Sequence, residues 1–315
     1  MTSLRKLGSS DLHVFPLALG GNVFGWSADE AQSFAVLDAY TAAGGNFVDT
    51  ADVYSAWAEG HEGGESETVI GRWLASRGKR ADVLVATKAG AHPRFKGLGA
   101  ATIKGAVEES LRRLGTDYID LFYTHFDDES VPVEEIVTAL DQLVKDGKVR
   151  AVAASNISPE RLRASLDFAE AEGLARYVAL QPHYNLVSRE TYEGALLETA
   201  ERAGLAAVPY FGLASGFLTG KYRPGTTVAS VRAEGAAKHL ETERGQKVLA
   251  ALDAVAEAHD AEPATVALAW LASRPTVVAP IASARTVEQL PALVAVADLE
   301  LTPAELAVLD EASAV

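Results

Sequence analysis

Cysteine is absent from all 315 residues, which removes disulfides, thiolate metal sites and thiol catalysis together. Basic side chains are scarce, 28 against 43 acidic ones, for a formal charge of −15. A field of that sign repels phosphate backbones and anionic membranes, so neither nucleic acid nor a membrane is an expected partner. An anionic cofactor fits such a chain only where basic residues gather locally. Long apolar runs are missing as well. None spans a bilayer, and residues 1–20, with Arg5 and Lys6, lack the continuous apolar core of a signal peptide. A cytoplasmic protein is expected. Nothing in the sequence sets the oligomeric state.

What is present is apolar mass, 48% of the residues, enough for a large core. Strand-like apolar runs alternate with helix-period segments eight times, the runs being 16–20, 46–49, 83–87, 119–124, 149–154, 177–181, 206–210 and 277–281. Eight βα units predict an α/β protein, a closed (β/α)8 TIM barrel spanning 1–315 as one domain. An open doubly wound sheet is disfavoured because the first βα junction, Gly20-Gly21-Asn22-Val23-Phe24-Gly25, lacks the three spaced glycines of the dinucleotide fingerprint. Ser158-Pro159-Glu160 opens one helix and Ala43-Gly44-Gly45 closes another. In 66–74, Val69, Ile70, Trp73 and Leu74 share a core face, leaving Glu65, Glu67 and Arg72 to water. Three segments are extra. Residues 4–7 and 12–15 around Gly8-Ser9-Ser10-Asp11 predict an N-terminal β-hairpin at the barrel base. A long glycine-containing loop, 211–240, follows strand seven, and 302–311 predicts a C-terminal helix capped by Thr302 and Glu305.

Four ionisable residues, Asp49, Tyr54, Lys88 and His125, fall at or just past the ends of the second, third and fourth runs. Parallel strands deliver such ends to one mouth. A tyrosine with a pKa near 10 becomes a useful acid/base when a buried ammonium stabilises its phenolate. Lys88 is placed to supply that charge, Asp49 to keep the lysine charged, and His125 to orient a carbonyl oxygen. No side chain supplies hydride, so reduction calls for a nicotinamide cofactor. Loops near the same mouth carry Phe24, Trp26, Trp57, Phe95 and Phe126, candidates for an apolar or ring-stacking substrate pocket. Glu59, His61 and Glu62 lack the fixed spacing of a metal site, and no metal is expected.

With these residues in view, the chain resembles the aldo-keto reductases. Asn46-Phe47-Val48-Asp49-Thr50-Ala51-Asp52-Val53-Tyr54, Ala86-Thr87-Lys88 and Tyr123-Thr124-His125 are similar to that family's aspartate-tyrosine, lysine and histidine segments. Gly64-Glu65-Ser66-Glu67, Ser155-Asn156, Gln181, Gly216-Phe217-Leu218-Thr219-Gly220-Lys221-Tyr222 and Ala284-Arg285-Thr286 follow in the family's order. The resemblance implies a barrel that binds NADP(H) extended and reduces a small-molecule carbonyl substrate, an aldehyde or ketone, with Tyr54 as proton donor. It further implies that Ser155, Asn156 and Gln181 hold the carboxamide and that Tyr210 stacks on the nicotinamide. Gly212, Leu213, Ala214, Gly216 and Lys221 would follow the pyrophosphate, Arg285 the 2′-phosphate, and Gln289 the adenine, with Gly21, Asn22, Phe211 and Ser283 also among the cofactor-binding residues. Where many relatives carry Ser-Pro-Leu and asparagine, this chain has Phe211-Gly212-Leu213 and Leu293. Two alternatives stand beside this reading. One makes Lys88 a Schiff-base nucleophile; the other is a cofactor-binding regulatory subunit resembling the potassium-channel β subunits.

Overall fold

A computed structural model describes residues 3–314 except 79, 224 and 226–232. Its strands are β1 (Arg5–Lys6), β2 (His13–Val14), β3 (Ala18–Gly20), β4 (Phe47–Asp49), β5 (Leu84–Ala89), β6 (Ala91–His92), β7 (Phe95–Lys96), β8 (Ile119–Thr124), β9 (Val149–Ser155), β10 (Tyr177–Gln181), β11 (Ala206–Ala207) and β12 (Ile281–Ala282). Eight of these form one parallel sheet in the order β11-β10-β9-β8-β5-β4-β3-β12. The Ala207–Val277 bridge joins the two ends, through Ala207 N–H to Thr276 O and Val278 N–H to Ala207 O. The product is the expected (β/α)8 barrel. Strands buried on both faces explain the near-continuous apolar runs in the sequence.

The helices are α1 (Glu30–Ala42), α2 (Glu65–Arg77), α3 (Ala100–Leu114), α4 (Val133–Lys145), α5 (Pro159–Glu172), α6 (Ala195–Ala203), α7 (Ala233–Leu240), α8 (Glu243–Ala258), α9 (Pro263–Ala272), α10 (Leu290–Val294) and α11 (Pro303–Ala312). Their starts follow the local chemistry. Ser158 accepts from Arg161 N at the head of α5, and Thr302 with Glu305 forms a reciprocal capping box at α11. Among the described residues no helix is long and apolar enough to cross a membrane.

The barrel interior is filled by Leu7, Leu12 and Val14 of the β1–β2 hairpin together with Phe47, Ala86, Leu121, Ala153 and Val208. Gly8, at φ 55°, lies so close to Val178 O that a Cβ would overlap it. The hairpin therefore plugs the end at which the strands start, and the opposite mouth is left for chemistry. The long loop after strand seven is only partly a loop. Ala214–Thr219 forms a 3-10 turn and the alanine-rich Ala233–Leu240 is helical, as its propensity favours; residues 224 and 226–232 of the expected loop lie outside the described residues.

Glu67 departs from its expected place in water. It is fully buried, accepting from Thr87 Oγ1 at 2.6 Å and from Arg113 Nε at 2.6 Å. Arg113 arrives from α3, beyond anything the α2 periodicity contains. Gly64 makes room for that guanidinium, since its φ is 87° and a Cβ there would overlap Arg113. Gly64→Ala should cost about 2–4 kcal/mol through left-handed strain and displacement of a buried ion pair, measurable by urea denaturation; wild-type stability would refute this account of the turn.

Candidate functional site

The four ionisable residues meet at the carboxyl ends of β4, β5 and β8. Asp49 ends β4, Lys88 is the fifth residue of β5, His125 follows β8, and Tyr54 sits in the turn leaving β4. Lys88, fully buried, donates to Asp49 Oδ2 at 2.7 Å, Thr50 O at 2.7 Å and Tyr54 Oη at 3.0 Å. Each proton of the ammonium has an acceptor, which makes a buried charge tolerable. Burial tends to lower the Lys88 pKa, but the Asp49 carboxylate and the Tyr54 oxygen outweigh it and hold it above its usual value.

Tyr54 differs from the sequence expectation. Lys88 pulls its pKa down, yet burial pushes up more strongly and Asp49 adds to burial, so the phenol is held above its ordinary value. At neutral pH it is a stored proton. His125 goes the other way, pushed down to about 3 by burial and then by the Lys88 charge. The imidazole is therefore neutral at neutral pH and offers one N–H. The Tyr54 and His125 rings meet edge-on, centroids 6.2 Å apart.

A cleft of about 810 Å³ opens over this group. Asp49, Tyr54 and His125 line one end of it, and Lys88 lies beneath its wall. Of the expected cofactor residues, Asn22, Ser155, Asn156, Gln181, Tyr210, Phe211, Gly212, Leu213, Gly216, Lys221, Ser283, Arg285 and Gln289 also line it. Gly21 and Ala214 do not. Gly21 is bonded to the wall from behind, its N–H donating to Asp49 O at 2.7 Å, and Ala214 is buried in the 3-10 turn.

Several polar groups are already engaged. Gln181 Nε2 donates to Asp49 Oδ1 at 2.9 Å, adding an anchor for the carboxylate that sequence did not reveal. Asn156 Nδ2 donates to His125 O at 2.8 Å and to Ser155 Oγ at 3.0 Å, while its Oδ1 accepts from Tyr210 Oη at 2.8 Å. Ser155 Oγ donates to Gln181 O. Tyr210 stacks on His183, centroids 5.4 Å apart, another partner missed in the sequence. Ser283 donates to Asn22 Oδ1, and Gln289 Oε1 accepts from the Arg285 N–H. The far end also holds Glu262 and Glu288, which no motif pointed to.

The aromatic candidates divide. Trp57 and Phe126 line the cleft, 51% and 50% exposed. Trp26 lies outside the lining and packs edge-on against Trp57 at 5.4 Å; Phe126 stacks on His125 at 4.8 Å. Phe24 is in the core and Phe95 is not at the cleft. The Phe95 ring lies where a Cβ on Gly105 of α3 would touch it, because the β6–β7 hairpin turns the residue toward that helix.

A phenol bonded to a buried ammonium stands beside a neutral imidazole at the carboxyl rim of a parallel barrel, and the similarities of the chain make it an oxidoreductase of the carbonyl-reducing kind. The chain belongs to the aldo/keto reductase family, whose profile matches residues 16–314. It is 34% identical to "Aldo-keto reductase str7" of Strobilurus tenacellus, covering 96% of this chain and 87% of that one. Against "Protein tas" of Escherichia coli (strain K12) it is 31% identical, covering 96% and 95%. "Norsolorinic acid reductase stcV" of Emericella nidulans is 32% identical, with 94% and 77% covered.

Proposed function

We propose that this protein is an NADPH-dependent carbonyl reductase in which Tyr54 gives a proton to the oxygen of an aldehyde or ketone. The observation that carries the reading is the buried Asp49–Lys88–Tyr54 chain, with spacings of 2.7 and 3.0 Å, ending at the cleft surface beside neutral His125. Tyr54 holds the proton, and Lys88 stabilises the phenolate left when it departs. His125 directs its N–H at the same oxygen, so negative charge grows between two donors. Asp49, held by Gln181, keeps Lys88 charged and in place. A bound reduced nicotinamide would supply the hydride.

The cleft suits such a cofactor. Tyr210, backed by His183, offers a flat surface for a flat ring. Ser155, Asn156 and Gln181 provide the donors and acceptors a carboxamide needs, on exchange of some of their present bonds. Phe211, Ala214, Ser215 and Gly216 all have left-handed φ, 55°, 46°, 58° and 93°, a turn type that gathers backbone N–H groups around anions. Lys221 and Arg285 bring positive charge to the cleft of an acidic protein, and among the described residues the Arg285 guanidinium has no bonded partner. Its planar fork matches a 2′-phosphate. Arg285→Ala should weaken NADPH about 10–100-fold, the scale of hydrogen bonds to charged groups, while changing NADH little; equal losses for both would remove this assignment.

Trp57 and Phe126 border the carbonyl end, favouring substrates whose carbonyl is attached to an apolar or ring-bearing body. A panel of aldehydes and ketones followed by NADPH absorbance, with Tyr54→Phe as blank, tests the proposal. Turnover that vanishes in the blank supports it. Tight NADPH binding with no turnover on any carbonyl would favour a regulatory subunit instead. The three bonds of Lys88 leave no free amine lone pair, which speaks against a Schiff base.

A further inference from the structure

Behind the four-residue group lies a second ionisable cluster that the reaction does not use. Asp52, two residues before Tyr54, is completely buried, and among the described residues no side chain bonds either carboxyl oxygen; only the neighbouring Val53 N–H reaches it. Its backbone N–H donates to Lys88 O at 3.0 Å, which ties it to the strand carrying the ammonium. Charged groups reach it from three elements: Glu67 of α2, Arg113 of α3 and Lys88 of β5. His92 of β6 stands across Gly63, where a Cβ would touch both the His92 ring and Asp52 O. Arg113 is committed to Glu67 at 2.6 Å. Two buried carboxyls thus share one nearby guanidinium that is already taken, and a bare carboxylate at Asp52 would be uncompensated.

We propose that Asp52 is a positioning residue that stores a proton behind Lys88 and, on releasing it, holds the Lys88–Tyr54 pair protonated as the medium turns alkaline. The inference rests on the reading of Tyr54 as proton donor. Burial, followed by repulsion from Glu67, raises the Asp52 pKa to about 8, with Arg113, the Val53 N–H and Lys88 only partly opposing. At neutral pH Asp52 is therefore a neutral acid, unlike the exposed carboxylates that give the chain its charge. Its ionisation adds a negative charge on the Lys88 side of the site. That charge favours the ammonium and disfavours the tyrosinate, so Tyr54 remains a donor to higher pH than it otherwise would.

The sign of the stability effect follows. The folded state keeps a proton that the unfolded chain releases near pH 4, so stability is highest below that pH and is lost as pH rises toward the folded value near 8. An uncharged isostere escapes this loss. Asp52→Asn should melt at nearly the wild-type temperature at about pH 4 and several degrees higher at about pH 8. In benzaldehyde reduction with NADPH, its alkaline limb of kcat should move to lower pH. Glu67→Gln, which frees Arg113 for Asp52, should shrink the stability loss by bringing the folded value down toward the unfolded one, while leaving Asp52 ionisable.

A melting difference equal at both pH values, or an alkaline limb at the same pH in both proteins, overturns the proposal. Should the wild type reduce no carbonyl at all, the reductase reading fails, while the melting comparison still decides whether Asp52 holds the proton.

Discussion

Tyr54→Phe is expected to bind NADPH as the wild type does while kcat falls about 100-fold or more, the scale of general acid catalysis. The substitution removes one oxygen and little else. Lys88 keeps its bonds to Asp49 and Thr50 O, both at 2.7 Å, so the buried ion pair survives. His125 is still at the cleft, and the far end with Lys221 and Arg285 is untouched. Loss of a group that acts mainly as charge develops lowers kcat rather than ground-state binding. NADPH titration by protein fluorescence, alongside steady-state kinetics, separates the two. Unchanged turnover would exclude Tyr54 as the acid, and lost cofactor binding would make its role structural.

The second large effect is in stability. Lys88→Met leaves the buried Asp49 carboxylate with Gln181 as its remaining side-chain partner. Breaking a buried pair by removing one member costs about 3–5 kcal/mol. The loss should grow between about pH 5 and pH 8, because the folded variant favours a protonated Asp49 that the unfolded chain readily ionises. Adding Asp49→Asn should recover most of the stability and none of the activity. Urea denaturation at the two pH values measures this; a single variant as stable as the wild type would mean that Lys88 is not held as a buried charge.

Much of the barrel could be read directly from residue order. Residues 119–124 and 177–181 match β8 and β10 end to end, because apolar strands between helix stops carry their own limits. The seventh and eighth strands are shorter in the ladder than their apolar runs. Pro209 and Pro280 interrupt them, and proline has no N–H to donate. Their carbonyls still serve, accepting from Ile281 and Ala18.

The meeting of Asp49, Tyr54, Lys88 and His125 was legible because strand ends in a parallel barrel share a rim. Partners across the fold were not. Glu67 meets Arg113 from 46 residues away, and Gln181 reaches Asp49 across 132; local periodicity holds no signal for either. Phe95 shows the converse, since an aromatic in a rim loop can turn toward its own following helix. The raised pKa of Tyr54 was hidden for a related reason. Lys88 is visible as a neighbour in the strand pattern, whereas the degree of burial that outweighs it emerges only from packing.

The most direct measurement is isotope transfer. Run with NADPH deuterated at the transferable C4 position and a carbonyl that the panel finds reducible, the reaction should yield alcohol labelled at the former carbonyl carbon, and Tyr54→Phe should yield at least about 100-fold less in the same time. Alcohol without the label, or labelled alcohol formed equally fast by the variant, would contradict the account.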